Sequence, residues 1–227
     1  PLPGNPRGVA QGSVEWHQLR RGRLTASVVG MALNVSPFGN RVRAHEIVRG
    51  EAEVEATTAM QRGTRLEGLA RVAYQRAVGR AVAECGAYVS KKTPFLLASP
   101  DGVVVNTDGV HEGFVELKVT GSGEPAPITD SYLLQCVMHC YCGELLYCDF
   151  VSFGRDKLLV QRVTYDSEAF EEDVLPMLDE FMSRMDSETI PNLLPGQDQA
   201  FLRQVLKDYR NQHVTSVRLY THELNVT

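Results

Sequence analysis

The chain has 227 residues, 43% of them hydrophobic and 22% charged, with a formal net charge of −5. That length suits one globular domain with a sizeable core, no apolar run reaches the length of a membrane span, and the acidic balance argues against a protein that coats nucleic acid by charge alone. Five cysteines, an odd number, argue against a disulfide framework and for an intracellular, non-secreted protein.

Residues 1–12 read as a flexible lead-in with no signal-peptide pattern. Ser13 caps a first helix, V-E-W-H-Q-L-R-R, stopped by Gly22, and a short helix follows Thr25. The stretch N-V-S-P-F-G-N is a loop, after which Asn40 caps R-V-R-A-H-E-I-V-R and Gly50 stops it. The longest helical pattern runs from Thr58 to Gly79, where Leu66, Leu69, Ala70, Ala73 and Ala77 form one apolar stripe.

The period then changes. Residues 82–90 read as a strand with Gly86 as a bulge. F-L-L-A, the turn S-P-D-G, V-V-V, a turn at N-T-D-G and F-V-E-L-K-V read as an antiparallel meander. After the loop G-S-G-E-P-A-P, residues 130–142 form a helix capped by Asp130 and ended by Gly143. Strands Y-C-D-F-V-S-F and K-L-L-V-Q-R-V-T flank the turn G-R-D, and a helix spans 167–186. The tail from Ile190 carries two prolines and an amphipathic stretch, F-L-R-Q-V-L-K-D-Y. This order predicts an α+β fold with a central mixed β-sheet flanked by helices.

Within the meander, Glu116 and Lys118 share one strand face while Val115, Leu117 and Val119 share the other. Their side chains stand about 7 Å apart, and the pair is either a surface salt bridge or part of a charged site. Asp101 opens the neighbouring strand. Two carboxylates converging there, with the Leu117 carbonyl beside them, suit Mg²⁺, a hard cation that takes oxygen ligands. A lysine next to such an ion can orient or activate water and offset charge on a phosphate. Glu67 flanks the apolar stripe of the long helix, and is either a solvated carboxylate or a further member of the site.

These residues fall in blocks that resemble a known family. S-P-D-G at Asp101 and E-L-K at 116–118 resemble the core of the PD-(D/E)xK nucleases. E-W-H-Q-L-R-R-G-R-L-T-A-S (15–27), R-G-T-R-L-E-G-L-A-R (62–71) and S-Y-L-L-Q (131–135) resemble, in the same order, motifs of the lambda-exonuclease/YqaJ viral recombinase family. The resemblance implies a restriction-endonuclease-like fold over residues 13–189, with 190–227 as a C-terminal extension. It implies a 5′→3′ exonuclease that digests one strand of linear double-stranded DNA to 5′-mononucleotides, leaving 3′ overhangs for recombination. Mg²⁺ is the implied cofactor, with Mn²⁺ able to substitute. A homotrimer and a single-strand annealing protein are the implied partners, in the cytoplasm or nucleus of a host cell.

By the same resemblance Asp101, Glu116 and the Leu117 carbonyl bind metal, and Lys118 contacts the attacking water. Glu67 supports a second metal or that water, and Gln135 lies near the lysine and the scissile phosphate. Arg20, Ser27 and Ser99 form a pocket for the 5′-terminal phosphate. Chemistry favours the pocket independently, because arginine offers a fork to phosphate oxygens and Ser27 precedes a helix start; Arg20 can equally be a cation at a helix C-terminus. The segment between Asp101 and Glu116 is longer than in familiar members, and Val119-Thr120 stands where Cys-Pro is frequent. Cys136, Cys140, Cys142 and Cys148, near His139, have no C-x-x-C spacing and read as core packing rather than a zinc or iron–sulfur site. Arg20, Arg21, Arg23, Arg41 and Arg43 form the densest basic region, either a solvated face or the lining of a DNA path. A nicking or site-specific endonuclease, and a catalytically silent DNA-end-binding module, are the alternatives.

Overall fold

The structure, a computed structural model, describes residues 9, 11–52, 58–120 and 123–221, with backbone alone for 58–60, 62 and 216–218. Most of the expected lead-in, and Gly121 and Ser122 of the loop beyond the E-x-K strand, lie outside the described residues. Local capping signals place the first helices. Ser13 accepts from the Trp16 N–H to cap α1 (Val14–Arg20), and Asn40 accepts from the Arg43 N–H to cap α3 (Arg41–Arg49). Between them lie β1 (Leu24–Thr25) and the single turn α2 (Val29–Ala32). The long stripe forms α4 (Thr58–Val78).

Tertiary pairing departs from the expected meander. Residues 82–90 are two short strands, β2 (Ala81–Ala83) and β3 (Tyr88–Val89), which join different sheets. β4 (Leu96–Ala98) pairs with β1 in parallel and with β3 antiparallel, forming a small sheet of its own. Pro100, with no N–H to donate, ends that ladder as the chain crosses to β5 (Gly102–Val105). Gly102 serves close approach there: a Cβ would lie 2.4 Å from Val82 Cγ1. Only β5 and β6 (His111–Val119) make the antiparallel pair. The main sheet runs β2-β5-β6-β7-β8-β9, with β7 (Tyr147–Phe153) parallel to β6 and β8 (Lys157–Thr164) antiparallel to β7. It is mixed, as predicted.

Helix α5 (Asp130–Gly143) crosses the middle of the molecule, and nearly every side chain on it is buried. Its cap is Thr129, not Asp130, which instead pairs with Arg210. Nor does Gly143 stop the helix: Glu144 takes the left-handed cap position, and a Cβ on Gly143 would strike the Phe114 ring at 2.2 Å. The expected 167–186 helix opens as a π turn, Ala169–Val174, before α6 (Leu175–Ser183). Pro176 lacks a helix donor, and the widened turn accommodates it.

α4 packs on one face of the main sheet, over Val115, Leu117, Val151 and Phe153. α5 packs on the other, joined in one core by α2, α3, α6 and the small sheet. The tail supplies α7 (Gly196–His213), which buries Leu202, Leu206 and Tyr209, and β9 (Val214–Thr221), which extends the sheet beside β8. Among the described residues no helix is long and apolar enough to cross a membrane.

Arg41 does not line a surface. It is 1% exposed, donates to the Ala32 carbonyl at 3.1 Å and pairs with Glu180 at 2.7 Å. Arg23 likewise spends its donors on the Leu19 and Pro94 carbonyls. The dense basic run therefore divides by burial, which charge spacing does not reveal. Arg41→Ala is expected to destabilise the fold by about 2–4 kcal/mol, by orphaning the Ala32 carbonyl and emptying a buried site. Arg43→Ala, at the half-exposed pair with Glu46, is expected to change stability by about 0.5 kcal/mol or less. Equal midpoints in urea unfolding for the two variants would contradict this.

Candidate active site

The site is built where β5 stops short of its neighbour. Gly102 lies opposite Val115, and the Asp101 N–H donates to the Val115 carbonyl at 3.1 Å. Beyond that point no strand among the described residues covers β6 on this edge. The Leu117 N–H therefore donates to Asp101 Oδ2 at 2.7 Å. In a strand the N–H and C=O of one residue point to the same edge, so the Leu117 carbonyl opens into the same gap.

Glu116 and Lys118 project from the face that α5 covers. Glu116 is 1% exposed, and α5 meets it with two donors one turn apart. Gln135 Nε2 donates to Oε1 at 2.7 Å, and His139 Nε2 to Oε2 at 2.7 Å. The Lys118 ammonium also pairs with Oε1. Burial alone would raise the Glu116 carboxyl; the charge of Lys118 and the contact with His139 outweigh it and lower the pKa to about 2. Lys118 is half-buried, its Nζ 5.1 Å from the Tyr132 ring centroid. Burial acts to lower its pKa, but Glu116 and Asp101 prevail and push it up.

Asp101 sits under opposing fields. Burial, then the charges of Glu116 and Glu67, push its carboxyl well above the usual range, while Lys118 and the Leu117 N–H act the other way. Glu67 arrives from α4, on the opposite side of the sheet. Arg71 secures that corner by donating to Glu67 Oε1 at 3.1 Å and to the Asp101 carbonyl at 3.0 Å. The structure thus brings Asp101, Glu116, Leu117, Lys118 and Gln135 together, with Glu67 at the rim.

The donors suit a hard cation. Asp101 Oδ1 bonds no donor among the described residues, and the Leu117 carbonyl faces the same gap. The charges of Glu116 and Glu67 raise the Asp101 carboxyl, and a positive ion between Asp101 and Glu116 would relieve that repulsion. No group of three or more His, Cys, Asp or Glu side chains among the described residues is arranged to enclose a metal. Two carboxylates, one carbonyl and several waters are nevertheless a donor set typical of Mg²⁺.

A second cluster adjoins the turn that leads into Asp101. The Arg20 Nη2 donates to Thr25 Oγ1 at 3.3 Å and to Ser27 Oγ at 3.4 Å. Its guanidinium lies 4.2 Å from the centroid of the Trp16 ring, and Trp16 Nε1 donates to Ser99 Oγ at 3.0 Å. Arg20 makes no ion pair among the described residues, and burial lowers its pKa to about 10. Of the three expected residues of this pocket, Ser27 meets Arg20 directly and Trp16 links Arg20 to Ser99.

Sequence reasoning missed several contributors. His139 was read with the cysteines, although its place one turn after Gln135 puts both on one helix face. Arg71 stands one turn after Glu67 and carried the same signal. Trp16 and Thr25 carried none beyond lying inside a motif. The thiols of Cys136, Cys140, Cys142 and Cys148 are free and buried in the core, and burial raises each one's pKa.

Residues 15–144 match the domain described as a YqaJ-like viral recombinase domain. Among solved structures the chain is similar to an alkaline exonuclease, LHK-Exo, from Laribacter hongkongensis, at 24% identity and a TM-score of 0.60, covering 86% of this chain and 99% of that one. LHK-Exo in complex with dAMP matches at 23% identity and a TM-score of 0.54, covering 88% and 95% respectively. At such identities the likeness is one of fold. No curated protein matches the chain significantly.

In His139→Leu, Glu116 loses one of its buried donors, so its carboxylate is expected to titrate higher than in the native chain. Carbon-detected NMR of the Glu side chains in chelator-treated buffer measures this. An unchanged Glu116 titration would show that the histidine contact does not hold the charged form.

Proposed function

Because the chain belongs to the YqaJ-like viral recombinase family, we propose that it is a DNA exonuclease. Its reaction is the metal-dependent hydrolysis of one strand of linear double-stranded DNA from the 5′ end, releasing 5′-mononucleotides and leaving 3′ overhangs for recombination. The observation that carries this reading is the convergence of Asp101, Glu116 and Lys118 at the uncovered edge of β6. A fold shared with an alkaline exonuclease, crystallised also with the nucleotide dAMP, supports it.

In this mechanism Asp101, Glu116 and the Leu117 carbonyl would hold Mg²⁺, or Mn²⁺ in its place. When bound, the ion would supply a Lewis acid for the phosphate and a water of lowered pKa. Lys118 orients the attacking water and offsets the charge that grows on the phosphate oxygens. Gln135 and His139 keep Glu116 aimed and ionised. Glu67, steadied by Arg71, supports the water or a second ion from the rim. Water oxygen bonds to phosphorus, the P–O3′ bond breaks and the 3′ oxygen leaves as a hydroxyl. Arg20, Ser27 and Ser99 bind the 5′-terminal phosphate, which sets the end from which digestion starts. The nuclease domain is residues 13–189 with 190–227 as its extension, acting inside a host cell as a homotrimer beside a single-strand annealing protein.

Lys118→Ala is expected to slow digestion of 5′-phosphorylated linear duplex with Mg²⁺ by about a hundred- to a thousandfold. Undiminished digestion would remove the lysine from the mechanism, and cleavage of covalently closed circles by the native chain would favour an endonuclease. Arg20→Gln is expected to slow digestion of phosphate-ended duplex about ten- to a hundredfold, the loss of a charged hydrogen-bonding fork. An unaltered rate on that substrate would place the terminal phosphate elsewhere.

A further inference from the structure

Arginines in protein interiors usually face carboxylates. Among the described residues Arg20 is held without one. Its guanidinium is fixed by the face of Trp16 and by two hydroxyls, Thr25 and Ser27, which lie 3.2 Å from each other. A cation–π contact positions the guanidinium without neutralising it, so its charge remains available to an anion. The same indole makes a second contact of a different kind. Its N–H donates to Ser99 Oγ, filling an acceptor site on that hydroxyl and leaving the Ser99 hydrogen free to donate elsewhere. Ser99 begins the turn that ends at Asp101, and Gln11 clamps that turn by donating to the Pro100 carbonyl at 3.0 Å. One side chain thus touches both a cation on α1 and a hydroxyl two residues from the carboxylate that anchors the cleft.

We propose that Trp16 is the positioning residue for recognition of a 5′-terminal phosphate: its ring face aims Arg20, its N–H aims the Ser99 hydroxyl, and together they make digestion depend on a phosphorylated end. This rests on the reading of Arg20, Ser27 and Ser99 as a phosphate pocket. It goes beyond that reading by assigning discrimination between phosphate and hydroxyl ends to a residue that contacts two of the pocket's groups. Trp16 is also the only tryptophan in the chain, so its emission reports on the pocket with no other indole signal.

The test compares kcat/KM on linear duplexes bearing a 5′-phosphate or a 5′-hydroxyl. Trp16→Phe keeps a ring face for Arg20 and lacks the N–H; Trp16→Leu lacks both. The phosphate-to-hydroxyl ratio is expected to fall in Trp16→Phe and to fall further in Trp16→Leu, by about ten- to a hundredfold in all. If the ratio stays native while both rates drop together, Trp16 is merely structural and the proposal fails. If the native chain itself does not discriminate between the ends, the phosphate pocket fails and the proposal with it. A measurement free of turnover uses the native chain in chelator. Titration with 5′-phosphorylated duplex is expected to change tryptophan emission saturably and more than the hydroxyl-ended duplex does, with the difference lost in Arg20→Gln. Equal responses to both duplexes would also overturn it.

Discussion

The Leu117 N–H donates to a carboxylate and not to a strand, and the cleft follows from that substitution. A backbone donor in mid-sheet must find a partner, since leaving it unpaired in a buried position costs about 1–3 kcal/mol. β5 starts at Gly102, opposite Val115, too late to serve it, and Asp101 takes the place a strand carbonyl would have held. The carboxylate is thereby pinned through one oxygen, leaving the other directed away from the ladder. Among the described residues the same missing strand leaves the Leu117 carbonyl without a ladder partner on that edge. An oxygen-lined gap is the outcome of ending a strand early in the middle of a sheet.

Glu116 presents the opposite problem, a full charge in the molecule's interior. Burial of an unpaired carboxylate would neutralise it. Here Lys118, Gln135 and His139 surround it with donors, and their combined effect exceeds the cost of burial. All four groups sit on rigid elements, two on β6 and two on a helix that is buried almost throughout. The charge is held by geometry that cannot easily relax. Asp101 lacks such a shell and feels Glu116 and Glu67 as like charges, so the two principal carboxylates are driven in opposite directions by their surroundings. A pair divided in this way is characteristic of sites that do chemistry.

The turn from Ser99 to Asp101 joins two anion-handling clusters with almost no intervening chain. On one side α1 presents an arginine held by an aromatic face, and on the other the sheet edge presents acids and a lysine. Pro100 stiffens the link, and hydrogen bonds from Trp16 and Gln11 fix it to the N-terminal segment. The separation between the clusters is accordingly a property of the fold rather than of a mobile loop.

Patterns of short range were legible in the sequence. Ser13 and Asn40 as caps, the α4 stripe, the shared face of Glu116 and Lys118, and Asp101 at the start of the adjacent strand all depend on periodicity or on one turn of chain. So did the motif order that assigned the family, and the mixed α+β architecture. What sequence alone misread depended on contacts between distant segments. β3 and β4 left for a second sheet because β1, some seventy residues earlier, offered them an edge. Gly143 looked like a helix stop but is small because Phe114 packs against it. Arg41 looked like a surface cation until Glu180 and the Ala32 carbonyl enclosed it. His139 and Trp16 acquired their importance only when the fold set Glu116 beside one and Ser99 beside the other. Local spacing decides which residues share a face; what that face meets is decided by packing, where burial and pairing are settled between residues that the linear chain keeps far apart.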